Sequence, residues 1–219
     1  MIYSTRPLPF QAKAVIFDMD GTLTDCPSPW RKVHEHFGVW EQAVAYHDEF
    51  FAGKIDYETW CRLDLGLWQG HPLDEIREVF NTIHASREAL AVLRMVADYR
   101  LADGNSVAMM ILSSGFDELA RRILAEAGVS ENRVDVVANH FEEIDGRLWG
   151  HARVALNDPV RGKRAHIDRF LGRHRLDALE VLAVDDRIED QSLYLHLGAF
   201  LHVEKAADLM DVLMFFSKQ

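Results

Sequence analysis

Short apolar runs recur along the chain, each followed by a polar or glycine-rich break. "AKAVIFD" (12–18), "NSVAMMILSSG" (105–115), "RVDVVAN" (133–139), "LEVLAVDD" (179–186) and "GAFLHV" (198–203) are rich in β-branched and aromatic residues. They have the length and composition of buried strands. Between them the period changes. "FDELARRILAEAGV" (116–129) places Leu119, Ile123, Leu124 and Ala127 on one helical face, with Gly128 as its stop. "GKRAHIDRFLGRH" (162–174) does the same with Ile167, Phe170 and Leu171. Strands alternating with helices predict an α/β protein with a doubly wound parallel sheet, covered on both faces.

Residues 26–88 break this rhythm. They predict helices only, at about 30–37, 40–52, 57–68 and 72–83, separated by "PSP", "GV", "GKID" and "GHPLD". Trp30, Trp40, Trp60 and Trp68 all fall here. The expected organisation is a core of residues 1–25 and 89–219 and a small all-helical domain of residues 26–88. "NHFEEIDGRLWG" (139–150) reads as a hairpin turning at "DG".

Composition narrows the partners. A net charge of −11 argues against nucleic acid and anionic membranes, which need surplus Lys and Arg. The basic run "RGKRAHIDRFLGRHR" is best read as a solvated helix face. No apolar stretch approaches the roughly 20 residues of a membrane span, and "MIYSTRPLPFQAK" lacks a signal-like apolar run. Cys26 and Cys61 form neither a zinc pattern nor a disulfide framework, so reduced thiols and a cytoplasmic setting are expected. The 11 histidines are scattered without metal-site spacing.

The chemistry collects at the strand ends. In an open parallel sheet, ligands bind beyond the carboxyl ends of the strands. The first strand ends in Asp18 and Asp20, the second in Ser113 and Ser114. The fourth ends in Asp185 and Asp186, with Asp190 shortly after, and Lys163 opens the preceding helix. Carboxylates this close repel unless a cation lies between them, and hard oxygen donors suit Mg²⁺. Lysine, hydroxyl and backbone amides hold phosphate. One carboxylate can attack phosphorus while a second protonates the leaving oxygen and then activates water.

These residues resemble the haloacid dehalogenase (HAD) superfamily. "VIFDMDGT" matches its D-x-D-G-T strand end, "MILSSGF" its strand-terminal serine, Lys163 its lysine, and "VLAVDDRIED" its acidic cluster. The resemblance implies a Rossmann-like core with a type-1 helical cap. It makes Asp18 nucleophile and Mg²⁺ ligand, and Asp20 acid/base with its carbonyl on the metal. Ser113, Ser114 and Lys163 would hold phosphate. Asp186 would be a further ligand, with Asp190 and Asp185 around it. Asp185 stands where the family often has glycine, so a register using Asp185 and Glu189 stays open beside Asp186 with Asp190. The D-x-D pair implies a phosphatase or phosphomutase, and a non-catalytic protein of the same fold is a further alternative.

The cap stretch "FFAGKIDYETW" and "SSGF" are similar to phosphoserine phosphatases within that superfamily. Their specificity residues are missing. Pro27, within "CPSPW", replaces the glutamate that meets the substrate amine, and Asp64 aligns with the arginine for its carboxylate, with Arg62 two residues away. The expected substrate is therefore a small phosphorylated metabolite other than phosphoserine, such as a sugar, amino-sugar or polyol phosphate, with a phosphoserine phosphatase proper as the alternative. Trp30, Phe51, Tyr57, Trp60 and Asp64 are its candidate contacts. The expected assembly is a monomer or homodimer.

Overall fold

The computed structural model describes residues 1–8, 10–153 and 161–216. The order along the chain is β1 (Ile2–Ser4), β2 (Ala14–Phe17), α1 (Pro29–His36), α2 (Trp40–Phe51), α3 (Tyr57–Gly66), α4 (Leu73–Asn81) and α5 (Arg87–Asp98). Then come β3 (Ala108–Phe116), α6 (Asp117–Ala127), β4 (Val134–Ile144), β5 (Arg147–Arg153), α7 (Arg161–His174), β6 (Val181–Asp185), α8 (Gln191–Tyr194) and β7 (Ala199–His202). A 3₁₀ segment, Ala206–Phe215, follows.

The strands form one sheet in the order β1-β7-β6-β2-β3-β4-β5. The inner five are parallel; β1 and β5 add antiparallel edges. β2 pairs with β3 on one side and β6 on the other, so the chain reverses its direction of travel across the sheet there. That crevice is where a doubly wound sheet binds ligands.

Period-two alternation in β2 explains why it sits at the centre. Val15 and Phe17 enter one apolar cluster, with α5, α6 and the 3₁₀ segment. Ala14 and Ile16 enter the other, with α7 and α8. All four are fully buried, as a strand covered on both faces requires.

Helices α1–α4 lie between β2 and α5, where an all-helical insert is expected. Leu65, Trp68, Ile76 and Phe80 join the same apolar cluster as Val15 and Phe17. The loop before α4 is also tied to the β4–β5 hairpin: Gly70 N–H donates to Leu148 O at 3.1 Å, Leu148 N–H to His71 O at 3.1 Å and Leu73 N–H to Gly146 O at 3.0 Å.

Some elements go beyond the pattern reading. β1 is too short to show a period; it is held by pairing with β7, and Thr5 N–H extends the contact to Gly198 O. β4 runs past residue 139 into the hairpin, as one continuous strand. α5 carries a clear stripe, Ala89, Val92, Leu93 and Val96, behind a Ser86 cap. It begins at Arg87, so a boundary between 88 and 89 falls in its first turn.

Candidate active site

β2 delivers Asp18 to the switch point. Its N–H still pairs with Val184 O at 2.9 Å, so the residue leaves the sheet in fixed register. The chain then turns back on itself, with Leu23 and Thr24 N–H both donating to Met19 O. Gly21 sits at φ +90° in that turn, and a Cβ there would strike the Asp186 carboxylate. Lys163, from the first turn of α7, places Nζ 3.0 Å from Asp18 Oδ1. Both residues are buried. At the end of β3, Ser113 Oγ donates to Asp20 Oδ2 at 2.9 Å and accepts from Gly115 N–H at 2.8 Å.

The acidic cluster is brought to the same point. Asp18, Asp185 and Asp186 each offer an oxygen within 4.8 Å of the others. Asp186 is anchored to the turn after β2: Thr22 Oγ1 donates to Asp186 Oδ1 and accepts from Asp186 N–H, both at 2.9 Å. Asp185 is fully buried and accepts from Arg187 N–H at 2.8 Å and Tyr194 O–H at 2.9 Å. Asp190 Oδ2 approaches Lys163 Nζ at 3.6 Å, whereas Glu189 is exposed. Asp190, not Glu189, thus joins the group. Three clustered carboxylates, one with both oxygens occupied by protein donors, fit a hard divalent cation such as Mg²⁺.

Electrostatics follow from burial and crowding. Burial, then the Asp18 charge, pushes Asp20 well above the usual carboxylate range, while Ser113 and Lys163 oppose the rise. Burial and Asp18 lift Asp185 to about 8 and also raise Asp186. For Lys163, burial works against the charge, but Asp18, Asp185 and Asp190 outweigh it and keep the ammonium protonated.

The insert closes over this edge. Trp30 Nε1 donates to Ser114 O at 2.9 Å. Tyr57 is buried; its phenol is pushed up by burial and by Cys61, with the Ser114 side chain opposing. Asp64 is buried and faces His34 across 3.5 Å. Arg62 is exposed and donates to Thr59 instead.

Not all expected contacts gather here. Phe51 is 69% exposed on the outer face of α2, against His47 and Phe50. Phe50, its neighbour, takes the inward position instead and stacks on Trp60 at 4.7 Å. Trp60 is half-buried between Phe50 and Tyr57. Pro27 lies in an open cleft of about 410 Å³ with Gly21, Asp25, Asp186 and His202.

Sequence reasoning missed four residues of this region. Thr22 was in view within "DGT", but its hold on Asp186 spans 164 positions. Tyr194 carries no local signal. His34 and Trp68 looked like ordinary core, yet Trp68 Nε1 donates to His34 Nδ1 at 2.9 Å.

The fold and the convergent carboxylates define a doubly wound α/β protein with an acidic, cation-ready site at its switch point. The chain belongs to the haloacid dehalogenase-like hydrolase family, whose profile matches residues 15–193. Among solved structures, it is similar to a HAD family hydrolase from Salmonella enterica serovar Typhi (TM-score 0.70, 20% identity, 88% of this chain). It spans only 62% of that protein's length. A phosphoserine phosphatase captured with a phospho-aspartyl intermediate analogue gives TM-score 0.69 at 19% identity, over 92% of this chain and 90% of the other. The phosphoserine phosphatase from T. onnurineus gives 0.62 at 18%, over 98% and 100%. No curated protein shows a significant match to the sequence.

Proposed function

We propose that this hydrolase is a Mg²⁺-dependent phosphomonoesterase that works through a phosphorylated Asp18. One observation carries the reading: residues from four distant stretches converge with complementary chemistry, Lys163 on Asp18 at 3.0 Å and Ser113 on Asp20 at 2.9 Å. Asp18, Asp186 and the Asp20 carbonyl would hold the metal, with Asp185 and Asp190 supporting it. When bound, Mg²⁺ supplies charge neutralisation to the phosphoryl oxygens.

An Asp18 carboxylate oxygen attacks phosphorus and the ester P–O bond breaks. Asp20 begins protonated, as its burial favours, and gives that proton to the departing alkoxide. The resulting Asp20 carboxylate then takes a proton from water, whose oxygen attacks phosphorus and returns Asp18 as a free carboxylate with inorganic phosphate. Lys163 and Ser113 orient the phosphoryl oxygens throughout. Residues 26–88 act as a cap, with Trp30 and Tyr57 closing on Ser114 to exclude water. The substrate is a small phosphorylated metabolite other than phosphoserine, with a sugar, amino-sugar or polyol frame, since Arg62 points to solvent and Asp64 would repel a carboxylate.

The test is phosphate release from a phosphate-ester panel with and without Mg²⁺. The wild type should turn over at least one ester only with metal, and Asp18→Asn should lose about 10³-fold or more in kcat. Full turnover by Asp18→Asn would defeat the covalent mechanism.

A further inference from the structure

Asp186 is held from more than one side, and one of its holders lies outside every motif of the site. β6 ends at Asp185, whose carbonyl takes the last sheet bond from Val203 N–H at 3.0 Å. Asp186 is the first residue past the strand, and side chains replace the ladder there. Thr22 accepts from its N–H and donates to its Oδ1. Its carbonyl oxygen meets Nε2 of His202 at 2.9 Å. A carbonyl only accepts, so Nε2 carries the proton in this contact. The neutral Nε2–H tautomer and the imidazolium both supply that proton, so the contact does not depend on the charge of the ring.

The His202 ring is itself placed by the sheet. It lies opposite Asp185 in the parallel β6–β7 register. Its own N–H donates to Met1 O at 2.8 Å, so the short edge strand β1 fixes the end of β7. Its side chain is 14% exposed, and Glu204 approaches the other ring nitrogen only to 3.7 Å, beyond hydrogen-bond distance. The one strong side-chain contact of this histidine among the described residues is therefore the one to Asp186.

The consequence is geometric. Fixing the N–H and the carbonyl of one residue fixes the peptide planes on both sides of its Cα, and with them the direction of its side chain. The Asp186 carboxylate is one of three whose oxygens lie within 4.8 Å of one another. A turn of its carbonyl would swing that carboxylate away from Asp18 and Asp185. Mg²⁺ tolerates such displacement poorly, because it demands near-ideal octahedral geometry.

We propose that His202 is a positioning residue for the divalent cation: by holding the Asp186 carbonyl, it aims the Asp186 carboxylate into the acidic cluster. This rests on the reading of that cluster as a Mg²⁺ site. Asp186 and His202 both line the open cleft of about 410 Å³, so water can bond the carbonyl once the ring is removed. The carbonyl then keeps a partner and loses its fixed direction. Metal affinity falls, and the fold stays.

The test reads Mg²⁺ binding apart from turnover. Wild type, His202→Ala and His202→Gln are melted without metal and across a Mg²⁺ series, each compared with its own metal-free melting temperature. The dissociation constant drawn from that series should rise about tenfold in His202→Ala. His202→Gln keeps a side-chain N–H in a similar place and should recover most of the loss. In phosphate release, the Mg²⁺ concentration for half-maximal rate should rise with it, while kcat at saturating Mg²⁺ stays within about twofold of wild type. Wild-type Mg²⁺ affinity in His202→Ala, or equal losses in the two variants, would overturn the inference alone. A wild type that gains no thermal stability from Mg²⁺ up to ~20 mM overturns the metal reading and the inference with it. A wild type that binds Mg²⁺ but releases no phosphate defeats only the phosphatase reading, and the melting series still decides the role of His202.

Discussion

Gly115 shows how little room the site leaves. A Cβ there would overlap the Asp20 carboxylate that Ser113 holds. Gly115→Ala should therefore displace Asp20 and lower kcat/KM about 100-fold, measured by phosphate release. Wild-type kinetics in this variant would mean that Asp20 does not need its present placement. Ser113 supports a second prediction. In the proposed mechanism Asp20 is the general acid and works protonated, so activity is expected to fall as pH rises through its elevated pKa. The Ser113 hydroxyl favours the charged carboxylate, and Ser113→Ala removes that pull. The alkaline limb of the kcat/KM profile should move to higher pH, even as overall activity drops. A limb that stays put or moves down would assign it to another group.

At the scale of elements, helix ends and helix faces carry separable jobs. α6 ends at Gly128 with φ 70°, where an added Cβ meets only the Arg94 side chain at 3.8 Å. The cost of Gly128→Ala is thus backbone strain alone, about 1 kcal/mol. The melting temperature should fall by roughly 2–4 °C with phosphate release kept, as read by thermal unfolding beside an activity assay. α6 was legible because its apolar period and its glycine stop are local. α5 was equally legible and is a reminder that a strand-centred reading passes over a helix between two strands. β1 was not legible: three residues cannot show a period, and only the partner β7 makes them a strand.

For the whole molecule, the crowded carboxylates link stability to pH and metal. Asp185 holds its proton to about 8 when folded, against 3.8 as the ordinary value. Between those values the folded chain binds more protons than the unfolded one, so stability falls as pH rises from about 4 to about 8. A bound Mg²⁺ favours the ionised carboxylates and flattens that fall, besides stabilising by mass action. Urea midpoints should be lower at pH 8 than at pH 5 without metal, and the gap should shrink with millimolar Mg²⁺. Asp186→Asn should weaken the metal effect. The hairpin adds a constraint on motion. Because Gly70, His71 and Leu73 are tied to Gly146 and Leu148, the Leu73 and Leu148 amides should resist hydrogen exchange, and any opening of the helical insert proposed as a cap should concentrate in α1, α2 and the start of α3. Fast exchange at Leu73 and Leu148 would place the hinge there instead.

The sequence by itself determined the five parallel strands, their alternation with helices and the residues at the strand ends, because side-chain period and strand-end chemistry are local properties. It also determined that Asp18, Asp20, Ser113, Lys163 and the acidic cluster would meet, since a parallel sheet gathers its carboxyl ends on one edge. Tertiary structure alone decided the pairings across that edge. Asp190 turns to Lys163 while Glu189 turns to solvent, Phe50 takes the inward place that Phe51 was expected to fill, and Asp64 is buried while Arg62 is not. Above all, it decided that the Trp68 indole N–H would meet His34 Nδ1. That contact spans 34 positions, and no local pattern encodes which partner a buried ring nitrogen will meet.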